Sequence, residues 1–231
     1  MRQHWIMVVG FAVVAGCAVA GDEESTDGVQ TSEVSSKIIY DYVSPTAPGS
    51  QGFGTLALRR ANAKPGTFNP TYGAATLPKI KLASDALVTQ AELDAVLAIP
   101  YAGHENSVVA LFGGRTTGSI FSDPTFEVVE IYTPNQPVSI TSVAQKDALY
   151  QLAPSGSQVT VRLINEKDYA ASSAPLSADY SATPNPTAAR VAVQGGAYFT
   201  GSVTISCHKV LWWTNCDPPS GVHVTAYFEA N

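Results

Sequence analysis

Ten residues near the C-terminus, CHKVLWWTNC (Cys207–Cys216), concentrate the side chains with most chemistry to offer. A metal site drawn from Cys207, His208, Cys216 and His223 fails on spacing. Adjacent Cys and His project to opposite faces of a strand, and the intervals match no zinc module. The expectation is therefore a disulfide between Cys207 and Cys216, closing a short ring and contributing about 2.5–3 kcal/mol if loop entropy is the source. Trp212 and Trp213 lie inside that ring. Read as a strand, the segment sends one indole into the core and the other outward. An outward indole on a braced loop is a stacking platform for sugar or peptide, because it offers large area at low entropic cost. The plainer reading leaves one core Trp and one Trp covered by a neighbouring loop.

Catalytic patterns are missing from the rest of the chain. His104-Glu105 lacks the second His of a zinc-protease helix, and no G-x-S-x-G or phosphate-binding glycine loop occurs. GGRTTGS, from Gly113, lacks the Lys of a P-loop and reads as a turn. Glu127 and Glu130 fall on opposite faces of one strand, which rules them out as an acid/base pair there. Asp123 and Asp147 would have to meet in space to serve a glycoside hydrolase. His208 and His223 fall in neighbouring expected strands, where solvent-facing roles are commonest. No metal and no cofactor is expected, and a non-catalytic role is favoured.

The N-terminus says where such a protein works. Trp5–Gly16 is apolar but spans only about 18 Å as a helix, against about 30 Å of bilayer hydrocarbon. Preceded by Arg2, it reads as a signal peptide over 1–16. Val14-Ala15-Gly16-Cys17 resembles the bacterial lipobox, with Val14 where Leu is commonest. The resemblance implies acylation of Cys17 and, with Ala18 rather than Asp following, residence at the outer membrane. Ala18-Val19-Ala20 offers the alternative, a cut that would release a secreted protein. Residues 17–36 follow as an acidic tether with no Lys or Arg, a composition that does not bury a core.

The whole chain carries a formal charge of −6, but from Lys37 onward there are 12 Lys and Arg against 14 Asp and Glu. A near-neutral body without a basic stripe argues against nucleic acid. From Lys37 the apolar residues alternate, rich in Val, Ile, Thr, Tyr and Phe: KIIYDYV, FGTLALR, PKIKLA, SVVALF, FEVVEIY, PVSITSVA, ALYQLA, QVTVRLI, ARVAVQ, AYFTGSVTIS, KVLWW and VHVTAYFE. Gly113-Gly114 and Gly195-Gly196 read as hairpin turns between such runs. The expectation is one all-β domain over 37–231, an antiparallel β-sandwich of immunoglobulin-like or jelly-roll-like type, with two small sandwiches divided near Gly113–Pro124 as the alternative. One short helix is expected after the capping box Thr89-Gln90-Ala91-Glu92, covering one end of the sheets. The stretch 167–189 reads as a long loop, and no internal repeat is visible. The expected role is an adhesion or assembly subunit whose partner is an envelope protein or a polysaccharide. A carbohydrate-binding module is the alternative.

Overall fold

The structure is a computed structural model of the full chain and describes residues 37–43, 58–63, 79–100, 107–119, 122–139, 147–155, 158–170 and 175–231. Cys17, the expected signal peptide and tether over 1–36, and His104 lie outside these residues. The all-β expectation holds, and the ladders are mostly antiparallel. Hydrogen bonding joins twelve strands into one sheet, with a separate two-stranded ribbon beside it, rather than into two facing sheets.

The sheet is built from two halves with the same plan. The first runs β1 (Ile38–Val43), β2 (Leu58–Arg60), β3 (Lys79–Leu82), α1 (Gln90–Leu97), β4 (Ser107–Ser119) and β5 (Ser122–Pro134). A short β6 (Val138–Ser139) follows. The second runs β7 (Ala148–Ser155), β8 (Gln158–Leu163), β9 (Lys167–Asp168), β10 (Ser177–Asp179), α2 (Pro186–Gln194) and β11 (Tyr198–Thr204). The ribbon β12 (Cys207–Val210) and β13 (Trp213–Cys216) comes next, then β14 (Gly221–Ala230). In the first half the order is β2-β1-β4-β5 with β3 parallel to β5. In the second it is β8-β7-β11-β14 with β10 parallel to β14.

Registers make the equivalence residue by residue. Tyr40 faces Phe112, and Tyr150 faces Phe199. Each half has a β-bulge at the matching place, between Gly113 and Gly114 and between Thr200 and Gly201. Where the halves join, Thr133 sits opposite Glu229, with Tyr132 opposite Ala230 and Pro134 opposite Phe228. Tyr132 and Phe228 are equivalent positions, so exchanging the halves leaves this ladder unchanged. That is the pattern of an isologous twofold interface, here within one chain.

A second junction obeys the same symmetry. Asn62 donates from Nδ2 to the carbonyls of Leu149 (2.8 Å) and Ile164 (2.9 Å), and its Oδ1 accepts from Leu149 N–H at 2.8 Å. Asn165 donates to the carbonyls of Ile39 (2.6 Å) and Ala61 (3.1 Å) and accepts from Ile39 N–H at 3.0 Å. Ile39 matches Leu149 and Ala61 matches Ile164, so each asparagine reaches across to the opposite half and grips there the residues equivalent to those its counterpart grips. Both have positive φ, 64° and 62°, where Asn is among the few side chains tolerated.

Three apolar clusters fill the fold. One lies under α1 and contains Leu93, Val96, Phe112 and Phe126, with Tyr42 stacked on Phe112. One lies under α2 and contains Ala189, Val193, Phe199 and Tyr227. The third draws Ile39, Leu111, Leu149, Ile164, Tyr198 and Phe228 from both halves and lies between the two junctions. The α1 capping box is as expected, with Thr89 N–H donating to Glu92 Oε2 at 2.7 Å and Glu92 N–H to Thr89 Oγ1 at 3.3 Å.

Four local readings are corrected. ARVAVQ is helix α2, not a strand: Asn185 caps its N-terminus by accepting from Ala188 N–H, Pro186 occupies the first turn, and Ala189 and Val193 bury one face. Gly195 and Gly196 end that helix rather than turn a hairpin. Gly113 and Gly114 lie within β4, on either side of the bulge, and the close approach there requires Gly114. The expected loop at 167–189 carries β9, β10 and the start of α2.

Candidate functional site

The halves differ most in the connection between their last two strands. In the first half the β4–β5 ladder runs past Thr117 and Thr125 to Ser119 and Ser122, so residues 120–121 alone link its strands; in the second the matching ladder ends at Thr204 and Gly221, and 205–220 link them. The longer connection is the ribbon. Its foot is tied to the body by Asp217 N–H to Ser206 O (2.9 Å) and Ser220 N–H to Thr204 O (3.0 Å). Cys207 and Cys216 then face each other and form the expected disulfide, with their Cα atoms 4.0 Å apart. His208 pairs with Asn215, Lys209 with Thr214 and Val210 with Trp213, leaving Leu211 and Trp212 as the turn.

Neither core reading of the tryptophans survives this geometry. Trp212 is 85 % exposed and Trp213 57 %, with Leu211 beside them at 79 %. Trp212 belongs to the turn, so strand alternation does not sort the pair. The rings meet edge to face, centroids 6.3 Å apart and planes at 69°. Leu87 and Val191 are the other large exposed apolar side chains among the described residues, and neither adjoins another in sequence. The turn was legible in principle: a disulfide placed at a directly paired position of a hairpin fixes the register, and eight intervening residues leave two for the turn.

Leu211 adopts the left-handed conformation, φ 57°. Two-residue turns favour Asn or Gly there, and an ordinary side chain costs about 1–2 kcal/mol. The strand pairs and the disulfide hold the turn against that cost. A bulky apolar residue where folding alone would choose Asn or Gly is a signature of a surface kept for contact.

The titratable candidates are scattered. His208 is on the ribbon and His223 on β14, so the two do not pair; His223 Nδ1 lies 2.8 Å from Asp179 Oδ2. Glu127 engages Lys81 and Arg115, both at 2.9 Å, which holds its carboxyl below the usual range, Lys81 first among the causes. Glu130 engages Lys37 and Tyr132. Asp147 lines a cleft of about 160 Å³ with Gln136, Thr200 and Thr225, and the described lining holds no second carboxylate. The side chain of Asp123 lies outside the described residues. Among the described residues no three His, Cys, Asp or Glu cluster as metal ligands, and no helix is long and apolar enough to cross a membrane.

The duplication gives one of these pairs a measurable consequence. Lys81 and Glu127 occupy the positions that Asp179 and His223 occupy in the second half, with the sign of charge reversed. Backbone and side-chain hydrogen bonds from Ser181, then His223, pull the Asp179 carboxyl down to about 2 from 3.8. Its contribution is thus present above the ordinary carboxylate value and is lost as pH falls from there through about 2. Carboxyl-carbon NMR should show Asp179 titrating at about 2, and titration at the ordinary value would refute the pairing.

Comparison of the chain with protein families, with curated proteins and with solved structures returns no match.

Proposed function

We propose that this chain is a non-catalytic binding or assembly protein of the bacterial envelope, held at the outer membrane by a lipid on Cys17, that engages its partner through the tip of the 207–216 ribbon. The observation that carries the reading is an exposed Leu211-Trp212-Trp213 on a disulfide-closed ribbon that the matching half of the same fold does without. Half the molecule therefore serves as an internal control: the plan folds with a short connection at this place, and the ribbon adds contact surface. Aromatic anchors on a rigid support are the usual energetic centre of an interface. The lipobox and the acidic tether supply the location.

A benzophenone amino acid at Trp212 should cross-link in cells to an envelope component, while the same group at exposed Val191 on α2 should not. Equal adducts from both, or none from either, would refute the reading. Leu211→Asn supplies a second arm. Asn accepts positive φ, so the ribbon should be as stable or more so, by up to about 1 kcal/mol, while adduct formation falls. A loss of ribbon stability in that variant would show that Leu211 serves folding instead.

Two exposed indoles also support a carbohydrate-binding reading. The 69° angle between their planes does not form a flat platform, which leaves single-ring stacking. Trp212→Ala abolishing polysaccharide binding without unfolding would favour it.

A further inference from the structure

We propose that the ribbon tip inserts into the interfacial layer of a lipid bilayer, an assignment that rests on the reading of the tip as the contact element and names what it contacts. Leu211 and Trp212 form the two-residue turn at the end of the ribbon, 79 % and 85 % exposed, so with Trp213 they present a point rather than a pocket. A point of this composition suits a fluid partner that closes around it. Leu211 supplies the apolar apex, and each indole pairs a large apolar body with an N–H that favours the headgroup level.

The collar below the apex fits the same partner. Between the two cysteines stand His208, Lys209, Thr214 and Asn215, with Lys209 the fixed charge and no carboxylate. Asp217 lies beyond the disulfide, towards the body. The body as a whole is slightly acidic, so Lys209 gives this end a local positive charge on a surface otherwise unfavourable for anionic lipid. An apolar apex with a cationic collar meets acyl chains and then lipid phosphate in that order. The disulfide and the cross-strand pairs fix the tip beforehand, which limits the ordering cost of insertion.

The chain contains three tryptophans, Trp5, Trp212 and Trp213; cleavage before Cys17 removes Trp5, and Trp5→Phe keeps the uncleaved Cys17→Ser variant comparable, so the emission reports on the tip alone. Vesicles of phosphatidylethanolamine and phosphatidylglycerol, brominated at defined acyl positions, are the probe. The expected result is a blue shift of the emission and quenching by shallow bromines, with Leu211→Asp weakening the vesicle dependence about tenfold. Asp tolerates positive φ better than Leu, so that variant keeps its turn. Co-sedimentation is read in parallel. A chain that sediments while its tryptophans stay red-emitting and unquenched overturns tip insertion but leaves the lipid-anchored reading intact, with a protein or polysaccharide at the tip. A chain that neither sediments nor is quenched overturns both. Quenching that survives Cys17→Ser supports insertion without the anchor.

Discussion

Asn62→Ala should lower the stability of the domain by about 3–7 kcal/mol, seen as a drop in the urea midpoint at unchanged slope. Asn62 is fully buried and is the hinge pin between the halves on the side away from the β5–β14 ladder. Removing its amide leaves Leu149 N–H and the carbonyl of Ile164 without the partner Asn62 supplies. Leu149 O keeps the N–H of Ile164. Two buried groups at about 1–3 kcal/mol each, with about 1 kcal/mol more for Ala at positive φ, set the range. A typical domain has only about 5–15 kcal/mol in total, so the variant should sit near its unfolding threshold at ambient temperature. Asn62→Gly separates the contributions, because it accepts φ 64° and still loses the bonds. It should recover about 1 kcal/mol of the deficit. Asn165→Ala should cost less, about 1–2 kcal/mol, because that junction is only part-buried and water can replace the amide. A loss below about 1 kcal/mol for Asn62→Ala would show that the halves are held by the central cluster and the β5–β14 ladder alone.

The alternation of apolar residues revealed most of the strands and the α1 capping box, because both signals are local. What it hid has physical causes. ARVAVQ alternates like a strand, and the helix signal lay just upstream in Asn185-Pro186, inside a stretch that reads as loop. The duplication is invisible because loops of unequal length shift the offset between equivalent residues: Tyr40 answers to Tyr150, Asn62 to Asn165, Gly114 to Gly201. The offset is different for each pair, so no fixed period exists to find. Equivalent positions also need only share burial or backbone shape, as Lys81 and Asp179 show by carrying opposite charges. The disulfide was legible from two cysteines in an exported context. The exposure of both tryptophans was not, because it depends on whether the body packs over the ribbon, which no local pattern states.

Gly114→Ala and Gly201→Ala should each destabilise by about 3 kcal/mol, while Gly113→Ala, one residue away, should cost less than about 1 kcal/mol. The contrast follows from what a Cβ would meet. At Gly114 it would lie 2.2 Å from the carbonyl oxygen of Glu127, and at Gly201 1.8 Å from that of His223. Both obstacles are backbone on the neighbouring strand, so relief requires parting β4 from β5 or β11 from β14 at the bulge. At Gly113 the nearest obstacle is Cε of Lys37 at 2.6 Å, the far end of a flexible chain. Lys37 can swing away at the cost of a partly exposed pairing with Glu130 and Tyr132, worth at most about 1 kcal/mol. Thermal or urea unfolding of the three variants decides the matter. If Gly114→Ala is as mild as Gly113→Ala, the bulge in β4 does not bring the strands this close. If the two bulge glycines differ sharply from each other, the halves have diverged in backbone as well as in sequence. Matched losses would instead tie the twofold plan to a shared constraint: each bulge bends its strand where the half-sheet begins to wrap the central cluster, and only a residue without Cβ allows the two backbones to meet there.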